Sequence, residues 1–368
     1  MFREAIEKMA AYKPGEQPKP GERLIKLNTN ENPYPPSPRV RRAMVRVAAD
    51  SLRLYPAPRA DAFVESASKL YGVRKDMILA GNGSDELLAM VFRAALDPGD
   101  AVAYPVPTYS LYDTLASIQE ARVLRFPVEK DFSIPLDQLA KARARLTIVC
   151  NPNSPSGILT PTAKLAKLAT ALRGRLLVID EAYVDFASEN AIGLLRRFPN
   201  VVILRTLSKS FSLAGMRLGL CFARPAVIEE LMKVKDSYNL SRIALAAGAE
   251  ALDDAPWMRR NVERVKHTRD VTIARLRKLG FEVPDSSANF VLARMVGRDL
   301  EPLARAIRKS GILVRYFATP LLRDALRISI GTPAEMNALF KSIAANLPAL
   351  DLSEASPNGH VAAARKRR

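Results

Sequence analysis

The sequence predicts an α/β fold, a large domain with a mostly parallel sheet covered by helices, joined to a smaller α+β C-terminal domain. Three observations carry that expectation. From about residue 76, short apolar runs (MILAG, AVAYP, LTIVC, LLVID, VVILR, LGLCFA) alternate with stretches whose apolar residues lie three and four apart (ELLAMVFRAAL, PTAKLAKLATALRG, AIGLLRRF). Parallel strands with helices on both faces produce such alternation. Several of the apolar runs end in polar clusters. After about residue 245 the texture changes to a long amphipathic helix followed by a few short strands.

In chain order, residues 1–38 read as an arm, rich in proline and turn residues and ending NTNENPYPPSP. Residues 39–245 form the expected large domain. Residues 246–350 form the smaller one: the helix PWMRRNVERVKHTRDVTIARLRKLG, then FEVP, ANFVLAR, a helix, GILVRYF and LRISIGT. Residues 351–368 read as a disordered tail. A chain of 368 residues, 48% of them hydrophobic, has ample apolar surface for a large core.

Composition narrows the chemistry. Cys150 and Cys221 both sit inside apolar runs, which argues against a disulfide framework and for buried thiols in a reducing cytoplasm. Of the two histidines, His267 lies in the polar helix and His360 in the tail. A histidine triad and a metal site are therefore not expected. No run approaches the roughly 18 apolar residues of a membrane span, and the charged, proline-bearing start lacks the apolar region of a secretory signal. The net charge of +18 is scattered along helices, apart from the terminal ARKRR. It reads as a solvated surface with no specific nucleic-acid partner, in a field that favours phosphorylated or carboxylate substrates.

In open α/β sheets, ligands bind beyond the carboxyl ends of the strands. Here MILAG runs into GNGSDELL, LTIVC into NPNSPSG, LLVID into EAY, and VVILR into TLSKS. Singly, each cluster has an ordinary reading. A glycine turn often just caps a helix, a strand-end aspartate such as Asp180 can do the same, and Lys209 alone is equally a solvated loop residue. Together they suggest one site. GNGSDELL opens a helix whose free N–H groups can hold an anion. A carboxylate at Asp180 needs a cationic or hydrogen-bonding partner. Lys209 follows 29 residues later, room for a crossover helix (AIGLLRRF) and the next strand, so the two fall on neighbouring strand ends. Arg217 offers a planar fork suited to phosphate. One ligand uses all four: pyridoxal 5′-phosphate has an aldehyde for the amine, a pyridine nitrogen for the carboxylate, and a phosphate.

These residues resemble those of the fold type I pyridoxal-phosphate aminotransferases, and within them the histidinol-phosphate aminotransferase branch. The likeness runs over nearly the whole chain, from AYKPGEQP and KLNTNENPYPPSP, through LYPAP, GNGSDELL, PTYSLY, CNPNSPSG, DEAYVDF and TLSKSFSLAGMRLG, to ANFVL, GILVRYF and LRISIGT. The resemblance implies that Lys209 binds the cofactor aldehyde as an internal aldimine and later shuttles a proton through a pyridoxamine stage. It implies that Asp180 pairs with the ring nitrogen, Tyr183 hydrogen-bonds the phenolic oxygen, and Tyr109 stacks on the ring. Ser84 and Asp85 would present backbone N–H groups to the cofactor phosphate, joined by Thr206, Ser208 and Arg217. Tyr55 would reach the phosphate in the other subunit of a homodimer. Tyr12, Arg315 and Arg327 would grip the anionic end of the substrate. One departure stands out: the family usually reads Asn-Asn-Pro-Thr-Gly, and Ser154 occupies the place of the asparagine that donates to the phenolic oxygen. That bond is lost, bridged by water, or taken over by Asn153.

The reaction so implied moves the amino group of L-histidinol phosphate to 2-oxoglutarate, in histidine biosynthesis. An aromatic amino-acid aminotransferase and a threonine-phosphate decarboxylase share the same cofactor constellation and differ in the distal pocket. A cofactor-sensing regulator would need a DNA-binding domain, and only about 75 residues precede the first sheet strand.

Overall fold

The computed structural model describes residues 1–11 and 14–354. Its strands are β1 (Ile25–Leu27), β2 (Ile78–Asn82), β3 (Ala101–Val106), β4 (Arg122–Pro127), β5 (Leu146–Cys150) and β6 (Leu176–Asp180). They continue with β7 (Val201–Thr206), β8 (Leu218–Phe222), β9 (Phe290–Arg294), β10 (Ile312–Tyr316) and β11 (Ala325–Ser329). A seven-stranded sheet has the order β2-β8-β7-β6-β5-β3-β4, and a four-stranded sheet the order β1-β10-β11-β9.

The six apolar runs read as strands all lie in the large sheet. Strands β5, β6 and β7 bury both faces: Val149, Ile179 and Ile203 enter one apolar layer, while Ile148, Val178 and Val202 enter the other. Helices cover both sides, which explains why these strands are continuously apolar. All neighbours pair in parallel except around β8, which runs antiparallel to both β2 and β7. A parallel return from β7 would need a crossover of about a dozen residues or more. The short loop 207–217 contains no α-helix, so the chain simply turns back. Both ends of that loop therefore lie on the same edge of the sheet.

One local expectation gives way, and one strand was not expected. AIGLLRRF forms a 3-10 segment, Ile192–Arg196, rather than an α-helical crossover. Gly193 within it and Pro199 just after leave too few helix-favouring residues for a stable turn-by-turn helix. Strand β4 carries no apolar run to announce it; it is a half-exposed edge strand containing Arg122 and Arg125 and ending in Pro127, as edges are when protected from pairing.

The arm is not separate from the rest. Its Ile25–Leu27 pairs in parallel with β10, extending the four-stranded sheet. Beyond it, the helices Pro38–Asp50 and Asp61–Tyr71 pack against Arg242–Asp253, next to the long helix Ala255–Lys278. The last helix runs from Pro333 to Glu354, four residues into the segment read as a tail; residues 355–368 lie outside the described residues. No helix among the described residues is long and apolar enough to cross a membrane.

Candidate functional site

The carboxyl edge of the large sheet gathers the reactive groups. Asp180 closes β6, only 2% exposed. Its Oδ2 accepts from the Tyr112 hydroxyl at 2.7 Å and its Oδ1 from the Ala182 N–H at 3.2 Å. Burial pushes its pKa up to about 6, against the pull of those two donors. Lys209 follows β7 and is half-buried. Its Nζ donates to the Thr29 carbonyl at 3.2 Å and lies 5.8 Å from the centre of the Tyr183 ring. Burial, then the positive field of Arg327, lowers its pKa to about 8, so the neutral amine is accessible near physiological pH. Tyr183 is itself buried, with its pKa raised by burial to about 12; its hydroxyl accepts from Asn30 Nδ2 at 3.0 Å.

Next to these groups the helix Gly83–Ala95 points its amino end at the same edge. The first-turn N–H groups, those of Ser84 and Asp85 included, have no carbonyl partner within the helix. Two glycines let the chain close around this end. A Cβ on Gly219 would stand 2.5 Å from the Gly83 carbonyl carbon and 2.7 Å from the Ser84 nitrogen. A Cβ on Gly83, which has φ +78°, would stand 2.6 Å from Arg217 Nη2. Arg217 adopts a left-handed conformation at φ 52° to begin β8, and its guanidinium bonds Asp85 Oδ2 at 3.0 Å. Asp85 Oδ1 accepts from the Tyr109 hydroxyl at 3.2 Å, so one carboxylate holds both the arginine and the aromatic ring. Across the loop, Thr206 Oγ1 donates to Ser208 Oγ at 2.9 Å and accepts from the Ser208 N–H at 3.1 Å. Backbone N–H groups, hydroxyls and an arginine thus stand close together, a donor set suited to a phosphate.

The other wall comes from the small sheet and the arm. Arg315 and Arg327 are direct cross-strand partners on β10 and β11, so both side chains leave the same face. Arg327 Nη2 donates to the Asn28 carbonyl at 2.9 Å and Nη1 to Ser154 Oγ at 3.2 Å. Arg315 Nη1 reaches the Pro14 carbonyl at 3.4 Å. The segment 28–32 stitches the parts together. Asn30 holds Tyr183, exchanges hydrogen bonds with Ser329, and accepts from Asn289; Asn32 Nδ2 donates to the Lys209 and Ser210 carbonyls.

Within one chain, then, Lys209, Asp180, Tyr183, Tyr109, Ser84, Asp85, Thr206, Ser208, Arg217 and Arg327 converge, with Arg315 beside Arg327. Tyr55 does not join them. It is 77% exposed, its ring stacked on Tyr238 at 4.5 Å. Tyr12 lies outside the described residues. The Asn153 amide is committed to the protein: Nδ2 donates to the Pro107 carbonyl and Ser156 Oγ, and Oδ1 accepts from Thr108. Ser154 faces Arg327. Sequence reasoning overlooked Asn30, Asn32 and Tyr112. The asparagines stood in plain view in NTNEN, and Tyr112 lies one helical turn beyond Tyr109, the spacing of side chains that meet. No cluster of metal-ligating residues occurs among the described residues.

A family model for aminotransferases of class I and II matches residues 22–343. Histidinol-phosphate aminotransferase 1 of Trichormus variabilis is 45% identical over 93% of this chain and 97% of that protein. The histidinol-phosphate aminotransferase of Citrifermentans bemidjiense is 46% identical over the same shares. Among solved structures, the histidinol-phosphate aminotransferase of Sinorhizobium meliloti in complex with pyridoxal-5′-phosphate superimposes with a TM-score of 0.85 at 27% identity, covering 96% of this chain and 98% of that one.

Proposed function

As a member of the aminotransferase class I and II family, and within it of the histidinol-phosphate aminotransferases, this chain is an aminotransferase, and we propose the reaction it runs. It moves the amino group of L-histidinol phosphate to 2-oxoglutarate, giving imidazole-acetol phosphate and L-glutamate. The observation that carries the substrate assignment is the pair Arg315 and Arg327, opposed on adjacent strands, with Arg327 near enough to lower the basicity of Lys209. Two guanidinium forks suit a phosphate.

The cofactor is pyridoxal 5′-phosphate, and the residues fit it: a cradle at Gly83, Gly219 and Arg217 that a Cβ would fill, a buried carboxylate, and an amine of lowered basicity. When bound, it supplies an aldehyde for amines and a cationic ring that accepts the electron pair of the substrate α-carbon. The chain does the rest. The Ser84 and Asp85 N–H groups, Thr206, Ser208 and Arg217 would hold the phosphate. Asp180 would keep a proton on the ring nitrogen, and Tyr183 would donate to the phenolic oxygen. Tyr109 would stack on the ring. Lys209 Nζ would take the proton from the substrate α-carbon and deliver it to the carbon that was the cofactor's aldehyde. Asn153 acts here by fixing the loop at residues 107–108, and Ser154 by orienting Arg327.

A homodimer completes the site. Exposed Tyr55 is free to reach the phosphate bound by a second copy, and Tyr12 of the arm joins the grip on the substrate phosphate. The buried thiols Cys150 and Cys221, with no disulfide, suit the cytoplasm.

The test is one half-reaction. Protein loaded with pyridoxal 5′-phosphate is mixed separately with L-histidinol phosphate and L-phenylalanine, and the visible cofactor band is followed. Rapid bleaching by histidinol phosphate alone is expected. Preferential bleaching by phenylalanine would leave fold and cofactor intact and move the function to aromatic transamination.

A further inference from the structure

One fully buried side chain beside the site has no part in that reaction. Tyr112, on the helix Leu111–Ile118, is 0% exposed. Its hydroxyl bonds Asp180 Oδ2 at 2.7 Å. Its ring meets Tyr109 edge-on at 5.7 Å and 84°, and Tyr104 at 5.6 Å and 60°. Tyr104 is fixed in turn by Asp113, at 2.7 Å from its hydroxyl.

We propose that Tyr112 is a positioning residue for the cofactor: its hydroxyl holds the Asp180 carboxylate in place, while its ring braces Tyr109. The inference rests on the reading of Asp180 as partner of the cofactor ring nitrogen. Packing alone needs no hydroxyl, and a phenylalanine would fill the same volume against Tyr104 and Tyr109. The hydroxyl is explained by the carboxylate. Tyr112 and the Ala182 N–H occupy one lone pair on each Asp180 oxygen, which fixes the plane of the group and leaves acceptor capacity for a cationic N–H. The titratable groups facing Asp180 are Tyr112 from its helix, Cys150 from β5, Asp85 from the helix Gly83–Ala95, Tyr183, and the adjoining Glu181. Asp85 and Glu181 oppose the ionised carboxylate, whereas Tyr112 and the Ala182 N–H favour it. Tyr112 is thus the side-chain donor that keeps Asp180 ionised in a buried, acidic neighbourhood.

The test measures the dissociation constant of pyridoxal 5′-phosphate by spectral titration of the full-length protein between pH 5 and 8. It compares the parent, Tyr112→Phe, Asp180→Asn, and the double variant. A lost hydrogen bond to a charged group predicts about tenfold weaker binding for Tyr112→Phe at neutral pH. The pH below which affinity falls should rise by about one unit. In the Asp180→Asn background, where no carboxylate remains to be held, the same change should alter affinity less than twofold. Equal losses in both backgrounds, or none in either, overturn the assignment. Should Tyr112→Phe alone fail to fold, a double variant that folds and binds as Asp180→Asn does supports the pairing. A double variant that also fails makes Tyr112 a packing residue. If the parent itself does not bind the cofactor, it is the reading of the whole site that falls.

Discussion

The carboxyl edge of the seven-stranded sheet and the seam between the arm and the four-stranded sheet deliver residues to one place, but they are held by different forces. Asp180 closes β6 and Lys209 follows β7, strands buried between two apolar layers. Arg327, on the four-stranded sheet, is tied to the arm by a polar bond to Asn28, and Tyr183 and the Lys209 amine reach across from the large sheet to Asn30 and Thr29. Apolar burial of this extent is cooperative and close-packed. Individual hydrogen bonds contribute only about 0.5–1.5 kcal/mol each. The division suggests that cofactor chemistry sits on the rigid part, and that substrate selection sits on the part able to adjust.

Perturbing the rigid side should cost most. Lys209→Ala removes the amine assigned the proton transfer, and turnover should fall by about 10²–10⁴-fold. The cofactor should still be retained by its phosphate and ring contacts, which equilibrium dialysis would register. Any substantial residual turnover would break the comparison at its root. Gly219→Ala comes next. Its Cβ would meet backbone atoms of Gly83 and Ser84 rather than a flexible side chain, so the cradle must open. Cofactor affinity should weaken by well over tenfold, read by spectral titration, with a fall in Tm of a few degrees. On the adjustable side, Arg327→Lys keeps the charge but loses the fork. KM for the phosphorylated substrate should rise by about tenfold or more while cofactor affinity stays put. A loss of cofactor affinity instead would mean that the two regions are not separable.

The acid–base groups sharpen the same contrast. Asp180 has a pKa raised to about 6, so below that pH it is neutral and cannot pair with a cationic ring nitrogen. Cofactor affinity should therefore be full above about pH 6 and fall by up to about tenfold per unit below it. Lys209 has a pKa lowered to about 8, so its reactive neutral form grows as pH rises and levels off above that value. The rate of covalent capture of the cofactor, followed by stopped-flow absorbance, should rise toward about pH 8 and then flatten.

What could be read from the sequence follows the same line. The buried strands announced themselves because a strand covered on both faces is apolar throughout, and their terminal polar clusters marked Asp180, Lys209 and Arg217. Edge strand β4 and the three-residue β1 escaped notice because neither buries two faces. The 3-10 segment at Ile192–Arg196 was misread because helical spacing over so few residues does not secure an α-helix. Asn30 and Asn32 had no legible role, since their partners lie some 150 residues or more away in sequence. Tyr112 was missed for another reason: a buried tyrosine in a helix looks like core until its hydroxyl is seen to face a carboxylate.

Asn30 offers the finest test of the seam. It is 1% exposed and left-handed at φ 56°, and it touches three parts of the fold at once: Tyr183 through Nδ2, Ser329 through its backbone N–H and Oδ1, and Asn289 through its carbonyl. Asn30→Asp keeps the shape and the tolerance for that backbone, but replaces the donor toward Tyr183 with a second acceptor. The Tyr183 hydroxyl should then turn toward the new carboxylate and away from the cofactor oxygen. The expected result is a shift in the pH midpoint of the visible cofactor band and a several-fold drop in kcat, about 1 kcal/mol of lost stabilisation, with KM for the phosphorylated substrate little changed. If the band keeps its midpoint and KM rises instead, Asn30 serves the substrate wall alone, and the seam acts on selection without reaching the cofactor.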